Sequence, residues 1–216
     1  MGALLFASSA RAEPLPIDRA AVRFIARETG GVEAPRFVFA RELAFEARLE
    51  SLSEGEGQST EGVGPPFRAR HVRAALERHV AETVLESLTV TPEPTKEEVA
   101  QRTEQARLSV LERVGGLRPL PLAARAEGLG DSEVLRFLRR EALASLYLDR
   151  MVAPMLAPTD AELRSVHRTQ RTPFSGKSYD EVATPLRRWY VGTRLAASLA
   201  SFYDGLRTRL IVTVLR

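Results

Sequence analysis

A short apolar segment close to the end of the chain constrains its fold more than any other feature. Residues 210–215 read Leu-Ile-Val-Thr-Val-Leu, and they directly follow a long stretch of helical periodicity over residues 178–207. A strand in that place cannot leave its backbone N–H and C=O groups unpaired, so it requires partner strands elsewhere. The best candidates are residues 21–27 and 36–39, which are rich in β-branched and aromatic side chains. We therefore predict that the two ends of the chain meet in one small sheet.

The chain between those strands shows helical periodicity, interrupted by glycine and proline. In the clearest stretch, residues 72–88, apolar side chains recur every four positions and charged side chains lie opposite. Thr95 and Glu98 have the spacing of a capping box, which predicts a helix start, and residues 159–162 repeat it. Helices are predicted over residues 42–52, 72–88, 95–114, 120–127, 131–152, 159–171 and 178–207. The predicted fold class is mostly α, with a small β-sheet formed by an N-terminal hairpin and the C-terminal strand.

The sequence leaves the start of the last helix open between two positions. Ser178 and Glu181 have capping spacing, whereas Thr184 precedes Pro185, a residue favoured at the first helical position. A single helix that is kinked at the proline would use both signals.

Composition argues against two classes of function. The formal net charge is +3, from 31 basic and 28 acidic residues, and the acidic residues are interspersed among the arginines, as in residues 139–141. No extended basic face is expected, so nucleic-acid binding is the weaker hypothesis. The chain has no cysteine, which excludes disulfides and thiolate chemistry.

The first residues have features of an export signal. Residues 3–7 are apolar, and Ala10-Arg11-Ala12 has the small-x-small form of a signal-peptidase site. We interpret residues 1–12 as a truncated signal peptide, which implies export; the alternative is a frayed terminus. No apolar run approaches the ~20 residues of a membrane-spanning helix, so we expect no integral membrane span.

No catalytic or metal-binding constellation is visible in the sequence. His71 and His79 lie on one predicted helix, about 12 Å apart along its axis, which is too far for shared metal ligation. We predict surface positions for both histidines, and exposed helix faces for the many carboxylates that neighbour arginines. The sequence therefore predicts a protein that is not an enzyme and that needs no cofactor or metal.

Four side chains are candidates for contact with a polypeptide ligand. Trp189 and Tyr190 offer large apolar rings with polar tips, which suit either a binding platform or core packing. Met151 and Met155 flank Pro154, where flexible thioethers suit an adaptable surface. For both pairs the alternative is a structural role alone.

Several short motifs recur in an order that is more informative than any one of them. They are residues 17–22 (IDRAAV), 42–43 (EL), 74–80 (AALERHV), 94–99 (PTKEEV), 128–135 (GLGDSEVL), 157–163 (APTDAEL) and 179–182 (YDEV). With the terminal strand, this order resembles the non-catalytic core of the SurA/PrsA-type periplasmic chaperones over residues 17–216. The resemblance implies one helical chaperone core over residues 13–216.

One departure from that family changes the expected activity. In members with isomerase activity, a parvulin domain lies between the two elements that match residues 157–163 and 179–182. Here residues 171–177 alone separate the corresponding helices, and residues 159–177 form a shortened connection. The resemblance therefore implies a chaperone without peptidyl-prolyl isomerase activity.

The function that the resemblance implies is that of an ATP-independent periplasmic holdase. Unfolded or extended segments of exported and outer-membrane proteins would bind in an apolar cleft between the helices. The alternative is a structural or assembly module for one dedicated envelope partner, built as a homodimer that exchanges the terminal helix and strand. A helical nucleic-acid binder is the third and weakest hypothesis.

Overall fold

The structure is a computed structural model, and it describes residues 18–26, 32–55, 67–209 and 211–215. Three features predicted from sequence fall wholly or largely outside these residues. They are the leader at residues 1–12, the hairpin turn at residues 29–31 and the glycine-rich loop over residues 53–66.

The two ends of the chain meet in a three-stranded sheet. Its strands are β1 (Ala20–Ala26), β2 (Val32–Phe39) and β3 (Ile211–Val214), in the order β2-β1-β3. Both pairings are antiparallel, with Val22 opposite Val214, and the N–H of Leu215 donates to the carbonyl of Ala21 at 2.9 Å. The predicted closure is confirmed, and β3 pairs with the first hairpin strand rather than the second.

Most of the rest of the described chain is helical, which confirms the mostly-α fold class. The helices are α1 (Ala40–Ser53), α2 (Ala69–Glu86), α3 (Lys96–Arg113), α4 (Pro119–Ala126), α5 (Asp131–Tyr147), α6 (Asp160–Thr169) and α7 (Tyr179–Arg209). The helix predicted to run to residue 152 is regular only as far as Tyr147. A π-helical turn (Leu148–Val152) and a 3-10 turn (Ala153–Leu156) follow it. Among the described residues, no helix combines the length and the apolar character needed to cross a membrane.

Local capping signals place two of the helix starts where the sequence predicts them. The Thr95 hydroxyl accepts the N–H of Glu98 at 3.2 Å, and the Glu98 carboxylate accepts the N–H of Thr95 at 2.8 Å. Thr159 and Glu162 repeat this reciprocal pair at the start of α6. Helix α7 begins at Tyr179 with Pro185 inside it, so the earlier of its two predicted starts is the one used.

The core consists of three apolar clusters. One lies between the sheet and helices α1 and α2, around Phe24 and Val38. The second joins α1 to α3, α4 and α5, where the rings of Phe45 and Phe137 meet edge to face with centroids 5.4 Å apart. The third is small and joins α6 to the first part of α7 through Leu163. Helices α1, α2 and α5 thus form a body on which the sheet rests.

Candidate functional site

A network of charged side chains is buried where α1, α2 and α5 meet. Arg140 of α5, which is 6% exposed, lies at its centre. Its guanidinium donates from Nη1 to Glu42 at 3.0 Å, from Nη2 to Glu46 at 2.5 Å and from Nε to Glu82 at 3.2 Å. Glu42 and Glu46 come from α1 and Glu82 comes from α2. Arg140 therefore connects α5 to both α1 and α2 through hydrogen bonds.

His79 extends this network towards a neighbouring cavity. Its Nδ1 lies 2.8 Å from the same Glu46 oxygen that Arg140 contacts, and both partners are buried. The second oxygen of Glu46, Oε2, is buried without a hydrogen-bond partner among the described residues. The Arg140 guanidinium and the His79 imidazole thus both contact one oxygen of the Glu46 carboxylate, and the other oxygen has no described partner.

The two buried glutamates that share Arg140 have pKa values shifted in opposite directions. Burial by itself would raise the pKa of Glu46, but the charges of Arg140 and His79 and their hydrogen bonds outweigh it and lower the pKa to about 2. Burial raises the pKa of Glu82 to about 7, against the opposing charge of Arg140. Of these two glutamates, Glu82 is therefore the one that holds a proton more readily.

Three members of the network have the composition of a metal site. Glu42, Glu46 and His79 each place one ligand atom within 4.8 Å of the others. However, the Arg140 guanidinium already donates one hydrogen bond to the Glu42 carboxylate and one to the Glu46 carboxylate. A divalent cation would have to displace that guanidinium and would leave it buried without its partners, which is costly. We therefore interpret the network as a structural device that holds the three helices, and not as a metal centre.

The surface positions predicted for His71 and His79 are wrong. The two side chains are 1% and 4% exposed. His71 accepts the backbone N–H of Arg68 at its Nδ1, 3.0 Å away, within the first turn of α2, and His79 contacts Glu46 as described. Burial is tolerated because ring nitrogens of both residues have partners. The exposed helix faces predicted for the carboxylates are likewise wrong for Glu46 and Glu82.

A cavity of about 490 Å³ opens directly above the network. Strand β2, α2 and α5 form most of its walls. The lining includes Phe24, Arg36, Phe37, Phe39, Arg41, Glu42, His79, Thr83, Glu86, Glu133, Arg136, Arg139, Arg140 and Leu143. Phe37 and Phe39 are 46% and 42% exposed, so the rim has apolar rings beside charged groups rather than the wholly apolar cleft predicted from sequence.

One wall of this cavity is an open sheet edge. In the order β2-β1-β3, strand β2 has β1 on one side, and on its other side no strand of the described chain pairs with it. Pro35 lies within β2, and proline is tolerated in sheets mainly on edge strands because it has no N–H to donate. Because Leu215 donates to Ala21, alternation directs the backbone groups of Val22 and Phe24 towards their partners Val38 and Arg36. The backbone groups that remain available along the cavity are therefore those of Phe37 and Phe39.

The four ligand-contact candidates from sequence lie elsewhere. Trp189 and Tyr190 are half-buried against the α6–α7 cluster, and the Arg194 guanidinium lies 5.5 Å from the Tyr190 ring centroid. Met151 is half-buried in the π-helical turn, and Met155 in the 3-10 turn is 75% exposed. None of the four is among the residues that line the cavity. Their contact with a ligand stays a prediction.

Comparison of the chain with protein-family models, with curated proteins and with solved structures found no match in any of the three. The likeness to SurA/PrsA-type chaperones therefore rests on the order of motifs in the sequence. A proposal about function has to build on that order and on the geometry of the cavity.

Proposed function

We propose that this protein is an ATP-independent holdase of the periplasm that binds extended segments of unfolded exported proteins without catalysis. The observation that carries the proposal is the open edge of β2 beside the cavity. An extended polypeptide has the same backbone spacing as a strand, and it can add to such an edge through main-chain hydrogen bonds. Those bonds do not depend on side-chain identity, so one site serves many clients.

The rim supplies apolar contact next to that edge. Phe37 and Phe39 are close to half exposed, and covering one such ring contributes about 1 kcal/mol by area. Ordering a flexible client opposes this gain. The net affinity for any one segment is therefore weak, which suits a protein that must release its client without a nucleotide.

The buried network beneath the rim keeps the cavity open in advance. Arg140 joins α1, α2 and α5, and its own side chain forms part of the cavity floor. A preformed groove lowers the entropy that binding costs, because the protein does not have to order itself around the client.

The proposal includes no isomerase activity. Helix α6 ends at Thr169 and α7 begins at Tyr179, so residues 170–178 are all that connects them. A connection of this length has no room for a folded catalytic domain.

A dilution assay with unrelated denatured proteins tests the proposal. We expect a molar excess of the protein to suppress their aggregation without ATP. The double variant Phe37→Ser/Phe39→Ser should lose most of this effect, whereas Leu122→Ser, which removes an exposed side chain of α4, should retain it. Equal aggregation with and without the wild-type protein would contradict the proposal. Equal suppression by the double variant would move the site away from β2.

One observation favours the dedicated-partner alternative. Strand β3 consists of four exposed residues and reaches β1 at the end of the 31-residue helix α7, so the same pairing can form between two copies that exchange these elements. Under this alternative the protein elutes as a dimer, binds one folded partner and does not suppress aggregation of unrelated proteins. The dilution assay therefore separates the two functions.

A further inference from the structure

The arginines that line the cavity fall into two groups. Arg41 and Arg140 are engaged: Arg41 lies 3.3 Å from Asp18 and 3.5 Å from Glu133, and Arg140 is held in the buried network. These two guanidinium groups have their carboxylates within the protein. They are part of the wall and are not available to a ligand.

The second group lies at the rim and has few such partners. Arg36 of β2 and Arg139 of α5 are exposed, and the part of the chain that the structure describes places no carboxylate within ion-pair distance of either. Arg136 is 76% exposed, and its nearest carboxylate is 4.0 Å away on Glu133, which Arg41 also contacts. Three cations thus converge on the open side of the cavity.

Glu86 is a carboxylate of the cavity lining that would compete with a ligand carboxylate for these three arginines. It lines the cavity and is half-buried. Burial raises the pKa of its carboxyl, against the opposing charges of Arg140 and Arg36. Its charge offsets part of the positive potential at the β2 side of the rim, but it leaves Arg136 and Arg139 facing the opening from α5.

We propose that this rim selects extended polypeptide segments that carry acidic side chains, with the carboxylates meeting Arg136, Arg139 and Arg36. The inference rests on the proposed function and adds a chemical class of client to it. A strand added to β2 presents every second side chain to the same face, about 6.6 Å apart. Arg136 and Arg139 lie one turn apart on α5, about 4.5 Å along its axis, and their long side chains can reach two successive carboxylates at that spacing. The remaining side chains of the segment meet Phe37 and Phe39.

The expected selectivity is moderate and depends on salt. Ion pairs at an exposed rim are weak singly, so two of them give an affinity difference of about two- to thirtyfold. Such pairs are screened as the ionic strength rises, because the Debye length falls to roughly 3 Å at 1 M salt. The backbone and aromatic contacts are not charged, so they should persist at high salt.

Fluorescence anisotropy with three capped, labelled nonapeptides tests the proposal. In all three, Phe and Val alternate with a polar residue, which is Glu in the first, Gln in the second and Lys in the third. We expect the Glu peptide to bind about two- to thirtyfold more tightly than the Gln peptide at low salt, and the Lys peptide to bind more weakly than either. The Glu preference should disappear at 1 M salt.

Variants of the protein locate the effect. Arg136→Gln/Arg139→Gln should lose most of the preference for the Glu peptide, because Arg36 alone remains, and should bind the Gln peptide as the wild type does. Glu86→Gln should tighten binding of the Glu peptide because it removes the competing carboxylate. Arg125→Gln, an exposed arginine of α4 away from the cavity, is the matched control and should leave the preference intact. Circular dichroism confirms folding, and the single variant Arg139→Gln replaces the double variant if that one misfolds.

Each outcome bears on one of the two proposals. Equal binding of Glu and Gln peptides by the wild-type protein at low salt overturns the acidic preference and leaves the holdase function standing. A preference that survives undiminished in both arginine variants overturns the assignment to this rim. Failure of all peptides to bind while aggregation is still suppressed removes the cavity as the client site. Failure of both assays overturns the proposed function itself.

Discussion

Arg139 and Arg140 are consecutive residues of α5, and they have opposite environments. Arg140 is buried and donates to three glutamates from two other helices. Arg139 is exposed at the rim of the cavity, with no described carboxylate within ion-pair distance. The difference teaches that neighbouring arginines of one helix can differ in environment: the buried guanidinium connects three helices, whereas the exposed one lacks such partners and is the one that we propose for ligand contact.

Removing the buried guanidinium should have the largest effect on stability. Arg140→Met leaves Glu46 and Glu82 buried without their shared cation, and breaking a buried ion pair in this way costs about 3–5 kcal/mol. Urea denaturation followed by circular dichroism measures the loss. The matched change Arg139→Gln should alter the free energy of unfolding by no more than about 0.5 kcal/mol. Similar losses of unfolding free energy in the two variants would contradict the different roles assigned to Arg139 and Arg140.

The pH dependence of stability sharpens the same comparison. The folded-state pKa of Glu82 is raised to about 7, so between pH 4.5 and 7 the folded protein binds a proton that the unfolded chain has released. This group therefore contributes stability at low pH that is lost as the pH rises through 7, up to about 3 kcal/mol. Glu82→Gln should remove this decrease, so the free energy of unfolding of the variant should rise relative to that of the wild type as the pH rises.

The contribution of Glu46 to stability changes with pH in the opposite direction to that of Glu82, and it does so at lower pH. Its folded-state pKa is lowered to about 2, so its contribution is present above pH 4.5 and is lost as the pH falls towards 2. Denaturation curves at half-unit pH intervals separate the two groups. Glu97→Gln on the exposed face of α3 is the control and should follow the wild type throughout. A constant difference between Glu82→Gln and wild type from pH 5 to 8 would contradict the assignment.

The pairing of β3 with β1 offers a smaller effect, which contrasts the paired side of an edge strand with its solvent-facing side. Leu215 donates its N–H to Ala21, and antiparallel alternation then directs the N–H of Thr213 towards Arg23 and that of Val212 towards solvent. Thr213→Pro should therefore cost about 1–3 kcal/mol through the lost ladder bond. Val212→Pro should cost clearly less. Equal losses in thermal unfolding would show that β3 is not seated in this register.

The smallest effect on stability and binding is expected at Met155, which the sequence predicts as a ligand contact but which does not line the cavity. Met155 is 75% exposed and lies outside the cavity lining. Met155→Ala should change the unfolding free energy by no more than about 0.5 kcal/mol and should leave client binding unchanged. Weaker suppression of aggregation by this folded variant would move the client site to the turn after α5.

The features that could be predicted from sequence are those that local chemistry determines. The capping residues Thr95 and Thr159 act within one helical turn, so their effect is readable from spacing alone. The closure of the sheet was also predictable, because the strand at residues 210–215 needs a partner and few segments qualify. That the partner is β1 and not β2 depends on the path of α7, which no sequence pattern encodes.

The buried network could not be predicted because helix α5 is covered on two faces. Arg140 lies two residues after Leu138, about 200° around the helix, and so on the face opposite the apolar stripe of Leu138, Ala142 and Leu146. An isolated amphipathic helix would expose that face. Here α2 packs against it and brings Glu82, while α1 contributes Glu46. Burial of these residues follows from the crossing of three helices, which periodicity does not reveal.

Hydrogen exchange with and without a bound client tests the central claim most directly. The protein is mixed with a denatured client at a concentration that saturates suppression of aggregation, and amide protection is mapped along the chain. We predict that protection increases at Phe37 and Phe39, whose N–H groups face the open edge of β2 and would donate hydrogen bonds to a client strand, and along the cavity face of α5. Increased protection confined to residues 179–209, or unchanged protection at Phe37 and Phe39, would contradict the account.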